Sequence, residues 1–279
     1  MNLFIVGTRK TGTTALFHYL KDHPNIFMSP TKETHYFSQN LDYHIHLYNS
    51  LEDYLRLFKE VKNESIIGEA STSYLDNEDI PQIIAEYNPN AKIIIMLKDL
   101  VELIYTMHFE FAFRGRVKED FREELEAQEK STGSLNYLKI VKNLPPIIKI
   151  YQELFGKENV LILEYKEFSS NTADIFAKIL EFLEVDTSYR PEFKKYNASA
   201  RPQSKFISKL LNSKIIQSIG KMVHRYIPGG NRIDPFFWNR KPFKRPAIPA
   251  DLKDFLTEEL KDTENQLQNL LKEPKSQAA

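Results

Sequence analysis

The sequence predicts an α/β fold, a central, mainly parallel sheet with helices on both faces, and three observations carry that expectation. Residues 3–6 are a short apolar run bounded by Gly7, and after a glycine loop the stretch TTALFHYLKDHP sets Leu16, Tyr19 and Leu20 at helical spacing before stopping near Pro24. Strand, glycine loop, helix is how α/β units open. Residues 93–97, Ile-Ile-Ile-Met-Leu, are apolar without interruption, the pattern of a strand covered on both faces. Strands of this kind alternate with amphipathic stretches along the chain, which puts consecutive strands parallel and lays the helices over the sheet.

The remaining elements follow in order. SLEDYLRLFKEV reads as an amphipathic helix, SIIGEAS as a short strand, and DIPQIIAEYNP as a helix with an early proline and a stop at Pro89; proline is tolerated in the first turn, where its missing N–H costs nothing. Residues 101–113 read as an aromatic-rich helix, in which Tyr105, Phe109, Phe111 and Phe113 belong to the core, and residues 117–130 as a charged, exposed helix. NVLILEY is a further buried strand and NTADIFAKILEFLEV the helix after it. From Arg201 to Arg245 there are eleven Lys or Arg against one acid, Asp234. This turn-rich, basic segment, residues 201–250, is expected to wrap the core, and residues 250–272 to close the molecule as a polar amphipathic helix, so that residues 1–279 form one domain.

Composition narrows the function classes. The 38 basic and 38 acidic side chains balance, so no global charge argues for nucleic acid, and electrostatics must be local. The chain has no cysteine, which excludes disulfides, thiolate nucleophiles and cysteine metal sites and fits a reducing compartment. No apolar run is long enough to cross a bilayer, and MNLFIVGT reads as a strand, not a leader. The expected setting is cytoplasmic. HIH at 44–46 lacks further ligands and reads as a surface or core feature.

The loop GTRKTGTT, residues 7–14, has the glycine spacing of a phosphate-binding loop, Gly7 and Gly12 with four residues between. Such a loop at a helix N-terminus aims several backbone N–H groups at one spot where the helix dipole favours an anion, and Thr13 and Thr14 add hydroxyls. In an ATP site a lysine follows the second glycine and reaches the β- and γ-phosphates. Here Thr13 stands there and the lysine is Lys10, within the loop. That position suits a donor with one phosphate and a transferable group beyond it.

GTRKTGTTAL resembles the 5′-phosphosulfate loop of sulfotransferases that use 3′-phosphoadenosine 5′-phosphosulfate (PAPS), above all the glycan type and its bacterial relatives. The resemblance implies a P-loop-like three-layer α/β fold, a loop gripping the phosphosulfate through Arg9, Lys10, Thr11, Gly12, Thr13 and Thr14, and a Lys10 that stabilises the leaving phosphate, with 3′,5′-ADP as product and no metal required. The family's strand ending in Arg, with Ser eight residues on, corresponds to Lys98 and Thr106; the spacing matches and both residues differ, and Asp99-Leu100 replaces the usual Asn-Pro. Lysine offers a point charge without a bidentate fork. GEASTSYL resembles the family's Gly-Glu strand and its Ser/Thr-Tyr turn, FRGR the segment after the 3′-phosphate helix, and NASARPQSKF the late loop over the nucleotide, which assigns Ser199 and Arg201 to the 3′-phosphate.

SPTKETHYFS sets Lys32, Glu33 and His35 just before Tyr36 and Phe37. Sulfonate transfer needs a base, donors for the sulfonate oxygens and an in-line approach. The resemblance makes Glu33 the general base and His35 a supporting donor or alternative base; read without it, Glu33 is equally a capping carboxylate or half of a surface ion pair. Burial against Tyr36 and Phe37 raises a carboxyl's pKa, and Lys10 and Lys32 lower it. The acceptor implied is a saccharide or another small hydroxyl or amine compound, and FFW at 236–238 amid basic residues is a candidate peripheral membrane contact. Two other readings compete: a P-loop nucleotide phosphotransferase, and a nucleotide-binding protein that has lost turnover.

Overall fold

A computed structural model of the chain describes residues 1–40, 48, 50–113, 115–129, 136–194, 196, 200–202 and 240–272. The described residues divide into two compact units: those of 1–98, 144–196 and 269–272, and those of 99–143 and 197–268.

The first unit is built on a five-stranded sheet, β1 (Leu3–Gly7), β2 (Ile26–Met28), β3 (Ile66–Ala70), β4 (Lys92–Leu97) and β5 (Val160–Glu164), in the order β2-β3-β1-β4-β5. Every pairing is parallel, with Ile5 opposite Ala70 on one side and Ile94 on the other, and Ile95 opposite Ile162. Four of the five strands are those expected from their apolar runs. The first helices of the unit are α1 (Thr13–Lys21), the short α2 (Leu51–Leu55) and α3 (Ile80–Tyr87); the expected 50–61 helix thus ends early, passing into a 3-10 turn at Arg56–Phe58.

Strand alternation sends successive side chains to opposite faces. Leu3, Ile5, Ile94, Met96, Leu161 and Leu163 meet Leu16 and Leu20 of α1 on one face. Phe4 turns to the other face, where its ring lies 5.5 Å from Phe37 and 6.4 Å from Tyr74. The sheet is therefore covered on both sides, as its uninterrupted apolar strands require. Gly7, at the carboxyl end of β1, has φ 154°, and a Cβ there would fall 2.6 Å from the Met96 carbonyl oxygen. Only glycine lets β1 and β4 run this close where the chain leaves the sheet for the loop.

The second unit contains α4 (Leu100–Phe113), α5 (Phe121–Glu129) and α6 (Tyr137–Lys142). Its Tyr105 and Phe111 are buried, and Tyr105 packs edge-on against Phe109 and Phe121, each 5.0 Å between centroids. The first unit resumes with α7 (Leu144–Phe155), which runs to β5, and with α8 (Tyr165–Ser170) and α9 (Thr172–Leu183), whose Phe176, Ile179 and Leu180 join the core cluster of the sheet. Late in the chain β6 (Ala200–Pro202) pairs antiparallel with β7 (Arg240–Pro242), and α10 (Ala250–Lys272) buries Leu252, Leu256 and Leu260 at four-residue spacing. Arg122 pairs with Asp251 and Lys142 with Glu259 along it.

Candidate active site

The glycine loop joins β1 to α1 at the carboxyl edge of the sheet. The Thr8 N–H donates to the Met96 carbonyl at 2.9 Å, and the hydroxyl of the fully buried Thr11 donates to the Thr8 carbonyl at 2.7 Å, closing the loop on itself. The Thr11 hydroxyl is thus engaged inside the loop. Gly12, at φ 80°, turns the chain into α1, and its carbonyl accepts the Leu16 N–H at 3.0 Å. The N–H groups of the first turn have no partner within the helix, and no acidic residue stands in that turn. Thr13 is buried and Thr14 half-buried beside them, while Lys10 is exposed. Arg9 pairs with Asp76 at 3.1 Å. Backbone donors, two hydroxyls and a lysine around a helix N-terminus fit a phosphate group.

Among the described residues four non-glycine positions have left-handed backbone: Lys10 at φ 60°, Glu33 at 57°, His35 at 53° and Glu184 at 58°. Glu184 ends α9 as its C-cap, an ordinary use of this conformation. The other three are the residues nominated for catalysis. A left-handed L-residue costs roughly 1–2 kcal/mol, and such costs gather where function demands an uncommon side-chain direction.

The Glu33 N–H donates to the Ala70 carbonyl at 2.8 Å, which fixes the segment against the end of β3. The carboxylate, 19% exposed, pairs with Lys32 through Oε1; its Oε2 accepts the Thr72 N–H at 2.9 Å and the Thr72 hydroxyl at 3.1 Å. His35 turns Nε2 to within 3.6 Å of the same Oε2, and its Nδ1 lies 2.8 Å from the Ser73 hydroxyl, itself 2.8 Å from the Ser38 hydroxyl. Burial pushes the Glu33 carboxyl up, but the charges of Lys32 and His35 and the donors from Lys32 and Thr72 outweigh it and hold the group well below the usual carboxylate range. These contacts favour the ionised form of Glu33, and the same contacts make it a weaker proton acceptor than an ordinary carboxylate. A general base acts only when deprotonated, so if Glu33 serves as one, activity falls as pH drops through its pKa. Lys32→Ala removes the largest lowering influence, the Glu33 pKa rises, and the acid limb of the kcat/KM profile is expected to move to higher pH; a pH–rate series on the two proteins measures the displacement.

The stretch GEASTSYL, quoted above without a role, turns out to organise the site. Ser71 accepts the His35 N–H at 3.2 Å, Thr72 holds Glu33, Ser73 meets the His35 ring, and Asp76 just beyond pairs with Arg9 of the loop. Glu69, fully buried on β3, accepts hydroxyls from Thr34, Ser71, Tyr54 and Tyr74. Burial raises its carboxyl and these donors oppose the rise without cancelling it.

Of the residues assigned to the 3′-phosphate, Lys98 directly follows β4 in the first unit, and Thr106 is buried in α4 of the second. Arg245 donates to the Thr106 hydroxyl through Nη1. Its sequence marked it only as one basic residue among eleven, because the partner is 139 positions away. Ser199 lies outside the described residues, as do HIH at 44–46 and FFW at 236–238; Arg201 is described in its backbone alone, within β6. Among the described residues no group of three His, Asp or Glu is placed to hold a metal ion.

The sulfotransferase domain family model matches residues 1–225. The chain belongs to the sulfotransferase domain family. Carbohydrate sulfotransferase 15 of Homo sapiens is 26% identical over 244 residues, covering 66% of this chain and 44% of the human protein. The membrane-associated sulfotransferase kil1 of Dictyostelium discoideum is 33% identical over 121 residues, 42% of this chain and 24% of that protein. This sulfotransferase chain thus spans less than half the length of these two curated relatives. Among solved structures, a sulfotransferase from Alicyclobacillus acidocaldarius superposes with a TM-score of 0.63 at 29% identity, covering 70% of this chain and 85% of that one. Mouse sulfotransferase SULT7A1, complexed with PAP, shares the fold at a TM-score of 0.51 and 14% identity over 96% of this chain and 86% of its own.

The comparisons overturn one expectation. The cytoplasmic setting does not stand, because the sulfotransferases that match include one named as membrane-associated and a carbohydrate enzyme. No helix among the described residues is long and apolar enough to cross a membrane, but that property, like the missing cysteines, does not fix a compartment.

Proposed function

We propose that this chain transfers a sulfonate group from PAPS to a hydroxyl or amine of a saccharide acceptor. The observation that carries the reading is the loop itself: a glycine turn at a helix N-terminus whose lysine, Lys10, sits inside the loop on left-handed backbone, with Thr13 where an ATP site has its lysine. Membership of the family supports sulfonate transfer, the carbohydrate enzyme among the relatives supports a saccharide, and PAP in a fold neighbour supports the donor.

When bound, the donor supplies a sulfonate carried on a good leaving group, its 5′-phosphate. The N–H groups opening α1 hold that phosphate together with Thr13 and Thr14. Glu33 takes the proton from the acceptor O–H or N–H as the oxygen or nitrogen bonds to sulfur. The bond from sulfur to the phosphate oxygen breaks, its electron pair stays with the phosphate, and Lys10 meets the charge that develops there. His35 steadies the carboxylate through Nε2 and stands next in line as base. Arg9, tied to Asp76, steadies the loop. Thr106 with Arg245 offers a hydroxyl and a guanidinium suited to the 3′-phosphate, and Lys98, Ser199 and Arg201 keep the same assignment from the family pattern.

The test is a calorimetric titration of the purified chain with 3′,5′-ADP and, separately, with ATP and magnesium, followed by transfer of labelled sulfonate from PAPS to desulfated chondroitin and desulfated heparin. Tight binding of 3′,5′-ADP without metal and labelled saccharide are expected. Binding of ATP with magnesium and none of 3′,5′-ADP would replace this reading with a phosphotransferase.

A further inference from the structure

Glu69 takes no part in the chemistry described above, yet among the described residues it is a fully enclosed acidic side chain. It sits on β3 opposite Phe4 with no exposed surface. Its Oε1 accepts from the hydroxyls of Tyr54 at 2.8 Å and Tyr74 at 2.6 Å, and its Oε2 from Thr34 at 2.5 Å and Ser71 at 2.9 Å. A buried carboxylate is unfavourable unless its oxygens are filled with donors. When ionised it accepts at every site and donates at none, so the four hydroxyls then all aim their protons inward.

Two of those hydroxyls belong to the segment that bears the proposed base. Thr34 stands between Glu33 and His35, the two left-handed residues. Ser71 spends its hydroxyl proton on Glu69 and receives the His35 N–H on the same oxygen, at 3.2 Å. With Thr34 drawn toward Glu69, the side chains on either side of it turn away from that carboxylate, Glu33 to Lys32 and Thr72, and the buried His35 to Ser73 and back to Glu33. Aromatic rings close the cage: Phe37 packs 5.5 Å from Tyr54 and 5.8 Å from Tyr74, and Tyr36 stacks on Tyr54 at 4.3 Å. Side chains that lock a reacting group in this way act through geometry, not contact with substrate.

We propose that Glu69 is a positioning residue for this sulfotransferase, holding Thr34 inward so that Glu33 and His35 keep the left-handed backbone that presents them to the reacting atoms. The inference rests on the reading of Glu33 as base for its purpose, but not for its test. A glutamine at 69 matches the carboxylate in shape, yet it offers one acceptor oxygen and an NH2 to four hydroxyls that all donate to the carboxylate, so the pair facing the NH2 must reverse its bonds or lose them, and the inward pull on Thr34 and Ser71 weakens with the lost charge.

The experiment follows the Glu33 carboxyl by carbon-detected NMR across an acid titration of the folded full chain, with circular dichroism and 3′,5′-ADP affinity recorded alongside. In the parent chain and in Thr34→Ser, which keeps the hydroxyl, the carboxyl is expected to stay depressed by its contacts with Lys32, His35 and Thr72. In Glu69→Gln and Thr34→Val its pKa is expected to climb by about one unit or more toward the ordinary value, with 3′,5′-ADP affinity unchanged. A loss of stability alone would not move that resonance. If Glu69→Gln does not fold, the Thr34→Ser and Thr34→Val pair decides by the same readout. A Glu33 titration unaltered in folded Glu69→Gln, or in folded Thr34→Val, overturns the proposal. Failure of the base reading shows separately, as undiminished turnover in Glu33→Gln.

Discussion

Lys10→Ala is expected to abolish sulfonate transfer while leaving the fold intact. The leaving phosphate gains charge as the bond from sulfur breaks, and a positioned cation that meets charge only in the transition state commonly contributes on the order of 10²–10³ in rate. The structure explains why stability should be spared. Lys10 is exposed, and Thr8 and Thr11 close the loop through hydrogen bonds of their own. Alanine meets much the same backbone cost as lysine in the left-handed region. Thermal melting and single-turnover transfer measured on the same preparation separate the two effects. Retention of most activity would remove the leaving-group role from Lys10.

Glu33→Gln should leave donor binding near normal and cut turnover about 10²-fold or more, the usual scale for loss of a general base. Glutamine keeps the outline of the side chain and can still accept from Thr72, so the left-handed turn has reason to persist. It cannot take a proton, and it no longer answers the charge of Lys32. Calorimetry with 3′,5′-ADP tests the first half of the expectation and steady-state turnover the second. Unchanged turnover would pass the role to His35, whose Nε2 lies 3.6 Å from the carboxylate it would replace.

The fold was legible wherever a strand was long and apolar enough to declare itself. Residues 3–6 and 93–97 needed no context, and β3 and β5 little more. β2, only three residues from Ile26 to Met28, is too short for a period to develop, and it exists because β3 offers it an edge. Residues 136–155, where α6 and α7 lie, declare no element on their own. Pro145 and Pro146 occupy the first turn of α7, where proline is tolerated. The site divides the same way. Lys10, Glu33 and His35 could be nominated because each sits in a short motif with a family pattern. Their supports could not, because Thr34 meets Glu69 across 35 positions, His35 meets Ser73 across 38, and Arg9 meets Asp76 across 67. Such contacts belong to the folded sheet and leave no periodic trace in the chain.

If Lys10, Glu33 and His35 work as proposed, their left-handed backbone sets heat tolerance against turnover. Glycine relaxes this conformation at no steric cost, so a screen that rewards survival at high temperature alone has reason to accept glycine at these three positions. Each acceptance would discard a proposed working group. A laboratory lineage of this protein selected only for robustness should therefore drift toward a sturdy but idle enzyme, and one selected for product should keep three residues that a stability calculation would recommend replacing.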